Sequence, residues 1–247
     1  MRRLSFLVNV FFFFMVLASA AVAQETFEKD VIETSAGELE ITFIGHGSLI
    51  FNFGGKVIHV DPVSQMADYT KLPKADIIFI THEHFDHFDL KTLEILRTDK
   101  TVLVLTETCA KRVEDGVIMR NGDVKIVEGL KIEAVPAYNI LHKRSNGHPF
   151  HPKGVGNGYV IIFGDKRVYV AGDTENTAEM KKLTGIDIAF LPMNLPYTMT
   201  PEMVADAAKA FKPKILYPYH YGNTDTSKLV DLLRDTNEIE VRVRDMR

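Results

Sequence analysis

The chain has very little cysteine. One Cys in 247 residues excludes an internal disulfide framework and any Cys-rich zinc finger. There is no surplus of positive charge. The net charge is −4 with His neutral, so the basic face that carries affinity for nucleic acid is missing. Gly and Pro stand at ordinary levels, and no internal repeat or long linker interrupts the chain. Disordered, collagen-like and low-complexity classes are therefore excluded. What remains is 46% apolar and 25% charged, enough to bury the core of one large domain. Nine His residues, three of them within six positions, are the feature that needs a chemical explanation.

The N-terminus reads as an export signal. Arg2 and Arg3 precede an apolar run from Leu4 to Leu17. Ala21-Val22-Ala23 then gives a small-residue cleavage pattern before Gln24. The alternative is an uncleaved membrane anchor, since Leu4 to Ala23 approaches the length that spans a bilayer. The cleavage pattern favours a signal peptide over residues 1–23, a mature domain over residues 24–247, and a periplasmic or secreted address without a stable membrane anchor. Cys109 then has no partner within the chain and reads as a small apolar residue on a helix.

Beyond that segment, strands and helices alternate. Leu39–Ile44, Ser48–Phe53 and Lys56–Val60 read as strands, with Gly54-Gly55 as a two-residue hairpin turn. Ile77–Ile80 and Thr101–Leu105 are continuous apolar runs, the pattern of strands buried on both faces. Two β-pairs follow: Val124–Val127 with Lys131–Val135, and Tyr159–Phe163 with Arg167–Val170. Further strands are expected at Asp187–Leu191, Lys214–Pro218 and Ile239–Val243. Helices are expected over Asp89–Arg97, Thr106–Glu114, Pro201–Phe211 and Ser227–Arg234; Thr200 suits the N-cap of the third and Pro201 its first turn. The pattern predicts an α/β single domain with sheets sandwiched between helices. One long irregular stretch, Ala137 to Asn157, carries His142, His148 and His151; a loop of that length in a compact domain is usually functional.

The chemistry gathers at strand ends. Thr81-His82-Glu83-His84-Phe85-Asp86-His87 follows directly on the buried Ile77–Ile80 strand. In extended chain His82 and His84 point the same way, and Asp86 and His87 come from the turn beyond. Three imidazoles and a carboxylate at that spacing suit zinc, iron or manganese. Asp61 ends a strand in Val60-Asp61-Pro62. Asp173 ends another in Val170-Ala171-Gly172-Asp173-Thr174. His220 stands in Tyr217-Pro218-Tyr219-His220-Tyr221-Gly222, and His46 in Ile44-Gly45-His46-Gly47-Ser48. His59, alternating within an apolar strand, reads as structural.

With these motifs in this order, the chain resembles the metallo-β-lactamase superfamily over roughly residues 38 to 245. The His46 segment is similar to its simple metal-dependent hydrolases, related to ascorbate-6-phosphate lactonases and N-acyl-phosphatidylethanolamine phospholipase D. The resemblance implies an αββα four-layer sandwich and two divalent metal ions, zinc foremost and manganese or iron as alternatives. His82 and His84 would hold one ion. Asp86, His87 and His220 would hold the second, and Asp173 would bridge them. Asp61 would orient the His cluster by hydrogen bonds. One departure stands out. Such relatives show Pro-Ala-x-His where this chain has Pro136-Ala137-Tyr138-Asn139. His151 is the first choice for the missing third ligand of the first metal, with His142, His148 and Asn139 as alternatives.

The reaction implied is hydrolysis of an ester, lactone, amide or phosphodiester in a small-molecule substrate, since two metals about 3.5–4 Å apart can share a hydroxide. Asp86 and Asp173 would orient that hydroxide. His46, Asn194 and Tyr197 are candidate donors to the developing oxyanion. Lactam-cleaving relatives of the commonest class carry Cys in place of Asp173, which disfavours antibiotic hydrolysis. The short stretch after His220 leaves the site to be built from loops. A binding or sensor protein that kept the fold but lost turnover is the second reading, and a His entering the site as third ligand is the feature that separates the two. Oligomeric state is open. The export reading predicts a mature N-terminus at Gln24. Intact mass of protein recovered from a secreting host checks it, and retention of residues 1–23 in the membrane fraction would favour the anchor.

Overall fold

The computed structural model describes residues 26–247, and the predicted signal peptide at residues 1–23 lies outside them. Two seven-stranded sheets form the framework of the fold. The first runs β1 (Glu28–Thr34), β2 (Gly37–Gly45), β3 (Ser48–Phe53), β4 (Lys56–Val60), β5 (Ile77–Phe79), β6 (Val102–Leu105) and β7 (Val117–Ile118), paired in that order. The second runs β8 (Val124–Val127), β9 (Leu130–Ala137), β10 (Gly156–Phe163), β11 (Lys166–Val170), β12 (Ile188–Pro192), β13 (Ile215–Tyr219) and β14 (Glu240–Val241). In each sheet the first four strands are antiparallel and the rest add in parallel. The sequence shows no repeat, yet the two halves share one topology.

Period-two alternation decides which face of each strand is inside. From the first sheet Phe43, Phe51, Phe53 and Phe79 meet Phe163, Tyr159, Phe190 and Tyr217 of the second, at ring-centroid distances of 5.0–6.3 Å. That aromatic seam is the core between the sheets. The alternate residues Ile50, Ile78, Ile80, Leu103 and Leu105 face outward and are covered by α1 (Leu90–Leu96) and by two short 3-10 turns. The outer face of the second sheet is covered by α2 (Ala178–Lys181), α3 (Pro201–Phe211) and α4 (Ser227–Leu233). Phe211 of α3, for example, sits edge-on to Tyr169. The architecture is the expected four-layer α/β sandwich. Among the described residues no helix is long and apolar enough to cross a membrane.

Local chemistry accounts for the caps and turns. Gly54 and Gly55 have φ of 57° and 77°, the left-handed pair a tight hairpin needs. Thr200 accepts from the Met203 amide at the start of α3, Pro201 follows it, and Lys212 in left-handed conformation ends the helix. Asp89 caps α1 through the Lys91 amide.

The two-residue strand β7 was not expected, and three further features differ from the sequence expectation. Thr106–Glu114 forms only a 3-10 turn over Cys109–Arg112, because Cys109 alone of that turn is buried and too little apolar surface holds a longer helix down. β1 was not expected: its sequence EKDVIET is mostly charged, and its order comes from full antiparallel pairing with β2 and a Lys29–Glu40 ion pair. α2, a single turn capped by Thr177, is too short for its period to show. Cys109 is buried, and burial pushes its thiol up to about 12, so it is a core residue without reactivity.

His59 lies on the outer face of β4, fully buried. Its Nε2 donates to the Pro73 carbonyl at 3.1 Å, and burial holds its pKa down at about 4. The folded protein therefore refuses a proton that the unfolded chain accepts near pH 6.5. Stability is expected to fall as pH drops from about 6.5 to about 4, by on the order of 3 kcal/mol from this group. Urea unfolding at pH 7 and pH 4.5 checks this, with His59→Gln losing less than the parent between the two.

Candidate metal centre

The site forms where the carboxyl ends of strands from both sheets meet. β4 delivers Asp61, β5 delivers the segment from Thr81 to His87, β11 delivers Asp173 and β13 delivers His220. The turn between β2 and β3 adds His46, and the loop between β9 and β10 adds His151. Three of these residues turn the chain sharply: His46, Asp61 and His220 have φ of 54°, 42° and 47°. Such left-handed backbone is costly for a side-chain-bearing residue and collects at functional sites. Gly47 is a close-approach position, because a Cβ there would stand 2.7 Å from Cε1 of His87.

Asp61 organises the first half. Its carboxylate, fully buried, accepts from the Thr81 amide at 2.8 Å, from the Thr81 hydroxyl at 2.5 Å and from His87 Nδ1 at 2.7 Å. Having given its proton to Asp61, Thr81 Oγ1 can only accept from His82 Nδ1, 3.0 Å away. His82 and His87 are thereby both held with the proton on Nδ1 and the lone pair on Nε2. Thr81 is a functional residue that sequence reasoning passed over; its place directly before His82 was the available signal.

A second relay organises the other half. Asn139 Oδ1 accepts from both the amide and Nδ1 of His151, at 2.8 and 2.7 Å. The Asn139 amide group donates to Glu175 and to the Tyr197 carbonyl. Glu175, two residues beyond Asp173, also accepts from the amides of Ile140, Leu141 and His142 and pairs with His142 Nδ1. Burial would raise the Glu175 pKa, but these donors keep it below the ordinary value. Asn139 thus stands behind His151 rather than at the centre, and His142 turns toward Glu175. His148 is exposed. Of the loop residues weighed as third ligand, His151 is the one whose ring reaches the cluster.

The ligand atoms converge on one carboxylate. Asp173 Oδ2 lies 3.2 Å from His151 Nε2 and 3.9 Å from His82 Nε2; its Oδ1 lies 3.4 Å from both His87 Nε2 and His220 Nε2. His84 Nδ1 is 3.1 Å from His151 Nε2. His82, His84 and His151 form one group and His46, Asp86, His87 and His220 another, each with ligand atoms within 4.8 Å of one another. Asp86 Oδ2 is 3.2 Å from His46 Nε2 and 3.9 Å from His220 Nε2. His46 also packs on the His220 ring at 3.7 Å, placing this expected oxyanion donor inside the second group.

This donor set fits metal ions. Among the described residues, Nε2 of His82, His87 and His220 and Oδ1 of Asp173 are buried without any hydrogen-bond partner. Polar atoms so buried need a partner, and here lone pairs face lone pairs across a common gap. The electrostatics agree. Burial drives His82 well below its ordinary pKa, and it likewise holds His220 at about 4, so both rings are neutral and able to ligate. Burial opposes charge on His87 too, but Asp173 and Asp61 outweigh it and hold this pKa well above normal, so the position calls for a cation. Burial would raise Asp86 and Asp173. The hydrogen bond from His46 and the charge of His87 keep Asp86 at about 2, while His220 and His87 hold Asp173 far below its usual value. Both carboxylates stay ionised at neutral pH.

Above the cluster opens a cleft of about 420 Å³. Phe85, Phe150 and Tyr197 form its apolar walls, and Asn194 and Arg144 supply polar groups. The exposed side chain of Phe85 and the edge-on contact between Phe150 and Tyr197, at 5.1 Å, belong to this rim.

Comparison with known proteins follows the same lines. A family profile described as beta-lactamase superfamily domain matches residues 40–220. A UPF0173 metal-dependent hydrolase from Natranaerobius thermophilus is 32% identical over 195 residues, covering 74% of this chain and 84% of its own. Another, from Pelotomaculum thermopropionicum, is 29% identical over 195 residues, covering 74% and 85%. Among solved structures, a protein from Parabacteroides distasonis described as a metal-dependent hydrolase is 49% identical, with a TM-score of 0.86 over 90% of this chain and 100% of its own. Igni18, a metallo hydrolase from Ignicoccus hospitalis, is 26% identical, with a TM-score of 0.69 over 85% and 96%.

The Asn139 relay yields a prediction. Asn139→Ala should leave the fold intact but let the His151 ring turn, weakening zinc binding about 10–100-fold. Competition against a chromogenic chelator measures this; unchanged zinc affinity would show that His151 needs no such support.

Proposed function

The chain belongs to the metallo-β-lactamase superfamily of metal-dependent hydrolases, and on that premise we propose that it is a binuclear enzyme hydrolysing an ester, lactone, amide or phosphodiester bond of a small molecule. The observation that carries the proposal is Asp173, whose two carboxylate oxygens face two separate groups of His side chains. His82, His84 and His151 would hold one ion; Asp86, His87 and His220 would hold the other, with Asp173 between them. When bound, such ions supply Lewis-acid polarisation of the substrate and a nucleophile at neutral pH. Zinc suits this set of imidazoles and carboxylates; iron also takes imidazole, and manganese would rely on the carboxylates.

The chain's own residues do the rest. Asp61, through Thr81 and directly, keeps His82 and His87 in the ligating tautomer. Asn139 does the same for His151. Asp86 remains anionic, accepts from His46 and can orient a nucleophile's proton from the cleft side. His46, Asn194 and Tyr197 border the cleft where negative charge would develop. That His151 reaches the cluster favours the enzyme over a binding or sensor protein, whose rationale was an incomplete first site. The domain of residues 24–247 is proposed to act in the periplasm or outside the cell, on the evidence of the N-terminal cleavage pattern alone.

Purified protein reconstituted with zinc or manganese is expected to hold about two ions per chain. It should turn over at least one member of a panel of nitrophenyl esters, lactones, amides and phosphodiesters. Asp86→Ala should release one ion and abolish turnover. Elemental analysis beside the panel decides: a parent protein holding less than about half an ion per chain would end the binuclear reading. Full metal with no turnover of any substrate would favour the sensor.

A further inference from the structure

We propose that Arg144 is a substrate-binding residue that receives a carboxylate group on an otherwise apolar substrate, beside the bond that the metal centre cleaves. The inference rests on the metallohydrolase reading for the identity of the neighbouring site. Arg144 is the one Lys or Arg side chain among the described residues that line the cleft. Its backbone is held in a tight turn: the Arg144 amide donates to the His148 carbonyl at 2.8 Å, and its carbonyl accepts from Gly147 at 2.9 Å. An isolated bridge between Lys143 and Pro149 closes the base of that turn. The side chain lies back across Phe150, with the guanidinium carbon 5.0 Å from the ring centroid and Nη2 3.3 Å from the Phe150 carbonyl. Its other neighbour is His84 Nε2, at 3.4 Å. Among the described residues no carboxylate is its partner.

The His84 contact is the informative one. His84 turns Nδ1 toward His151 Nε2 and the metal cluster, and Nε2 outward to Arg144. A neutral imidazole has one donor and one acceptor nitrogen. If Nδ1 is kept as the lone pair for an ion, Nε2 carries the proton and cannot accept from Arg144. The guanidinium is then left with one carbonyl and an aromatic face, and most of its N–H groups have no protein partner among the described residues. A guanidinium is a planar fork matched to a carboxylate. With Phe85, Phe150 and Tyr197 around it, the cleft offers one cationic anchor within apolar walls. That chemistry selects a small molecule with one carboxylate and a hydrophobic body.

The test uses the zinc-loaded protein and two isosteric probes, 3-phenylpropionate and the neutral 3-phenylpropanamide, with affinities read by calorimetry. The parent is expected to prefer the carboxylate by at least about tenfold, the size of a charge-assisted hydrogen bond. Arg144→Gln should erase the preference, and Arg144→Lys, which keeps the charge without the fork, should retain part of it. A preference that survives unchanged in Arg144→Gln would mean that the carboxylate sits on the metal centre, and would overturn the proposal. So would a parent that does not discriminate. Hydrolysis of 4-nitrophenyl butyrate by the parent, measured beside the titrations, tests the hydrolase reading separately. Arg144-dependent selectivity without turnover sustains the anion site and counts against the enzyme; turnover without selectivity does the reverse.

Discussion

Everything at the centre depends on one buried carboxylate. Asp61 sits at the end of β4 with no exposure, in a left-handed conformation, and three donors from a neighbouring strand end point at it. Its own amide bonds to the Phe79 carbonyl and its carbonyl accepts from Ser48 Oγ at 2.6 Å. β3, β4 and β5 are thus joined at their ends by one residue. A carboxylate in so dry a place costs several kcal/mol unless fully hydrogen-bonded. The geometry that satisfies it is also the geometry that presents two imidazole lone pairs to a common point. Stability and ligand orientation are here the same set of bonds.

The second sheet repeats the device with different residues. The segment after β11 sends Asp173 into the cluster and Glu175 away from it. Glu175 then gathers the start of the β9–β10 loop and Asn139, which in turn holds His151. The Thr81 carbonyl accepts from the Asn157 amide at 2.9 Å, and the Tyr159 hydroxyl donates to the Ile80 carbonyl at 2.9 Å. These bonds lock the two sheets together just below the site. A rigid floor built on strand ends, with its supporting shell satisfied, is what precise ligand placement requires. The walls of the cleft come from loops, where selectivity can vary without disturbing the floor.

The sequence by itself determined the fold class and most of the residues of the centre. Continuous apolar runs at Ile77–Ile80 and Thr101–Leu105 and alternating ones elsewhere announce a sandwich, because burial on one face or two is a property of consecutive residues. The segment from His82 to His87 is legible for the same reason: its ligands are neighbours in the chain, placed by one strand and one turn. Where order came from distant partners the signal was absent. The charged strand β1 is held by pairing with β2, and the expected helix over Thr106–Glu114 shrinks to a 3-10 turn because tertiary packing gives it little to bury.

Only the tertiary structure decided which His completes the cluster and what lines its mouth. His142, His148 and His151 sit on one loop with no periodicity to rank them. The ranking comes from Glu175 and Asn139, which draw His142 aside and hold His151 inward through contacts spanning 12 to 36 positions. Arg144 and Phe150 carry no motif at all and gain meaning only because Arg144 lies across the Phe150 ring and reaches His84. A local pattern can specify which residue types are delivered to a strand end. Which side chains from other loops meet them there depends on chain closure and on the satisfaction of buried polar groups, and neither is written in any contiguous stretch of sequence.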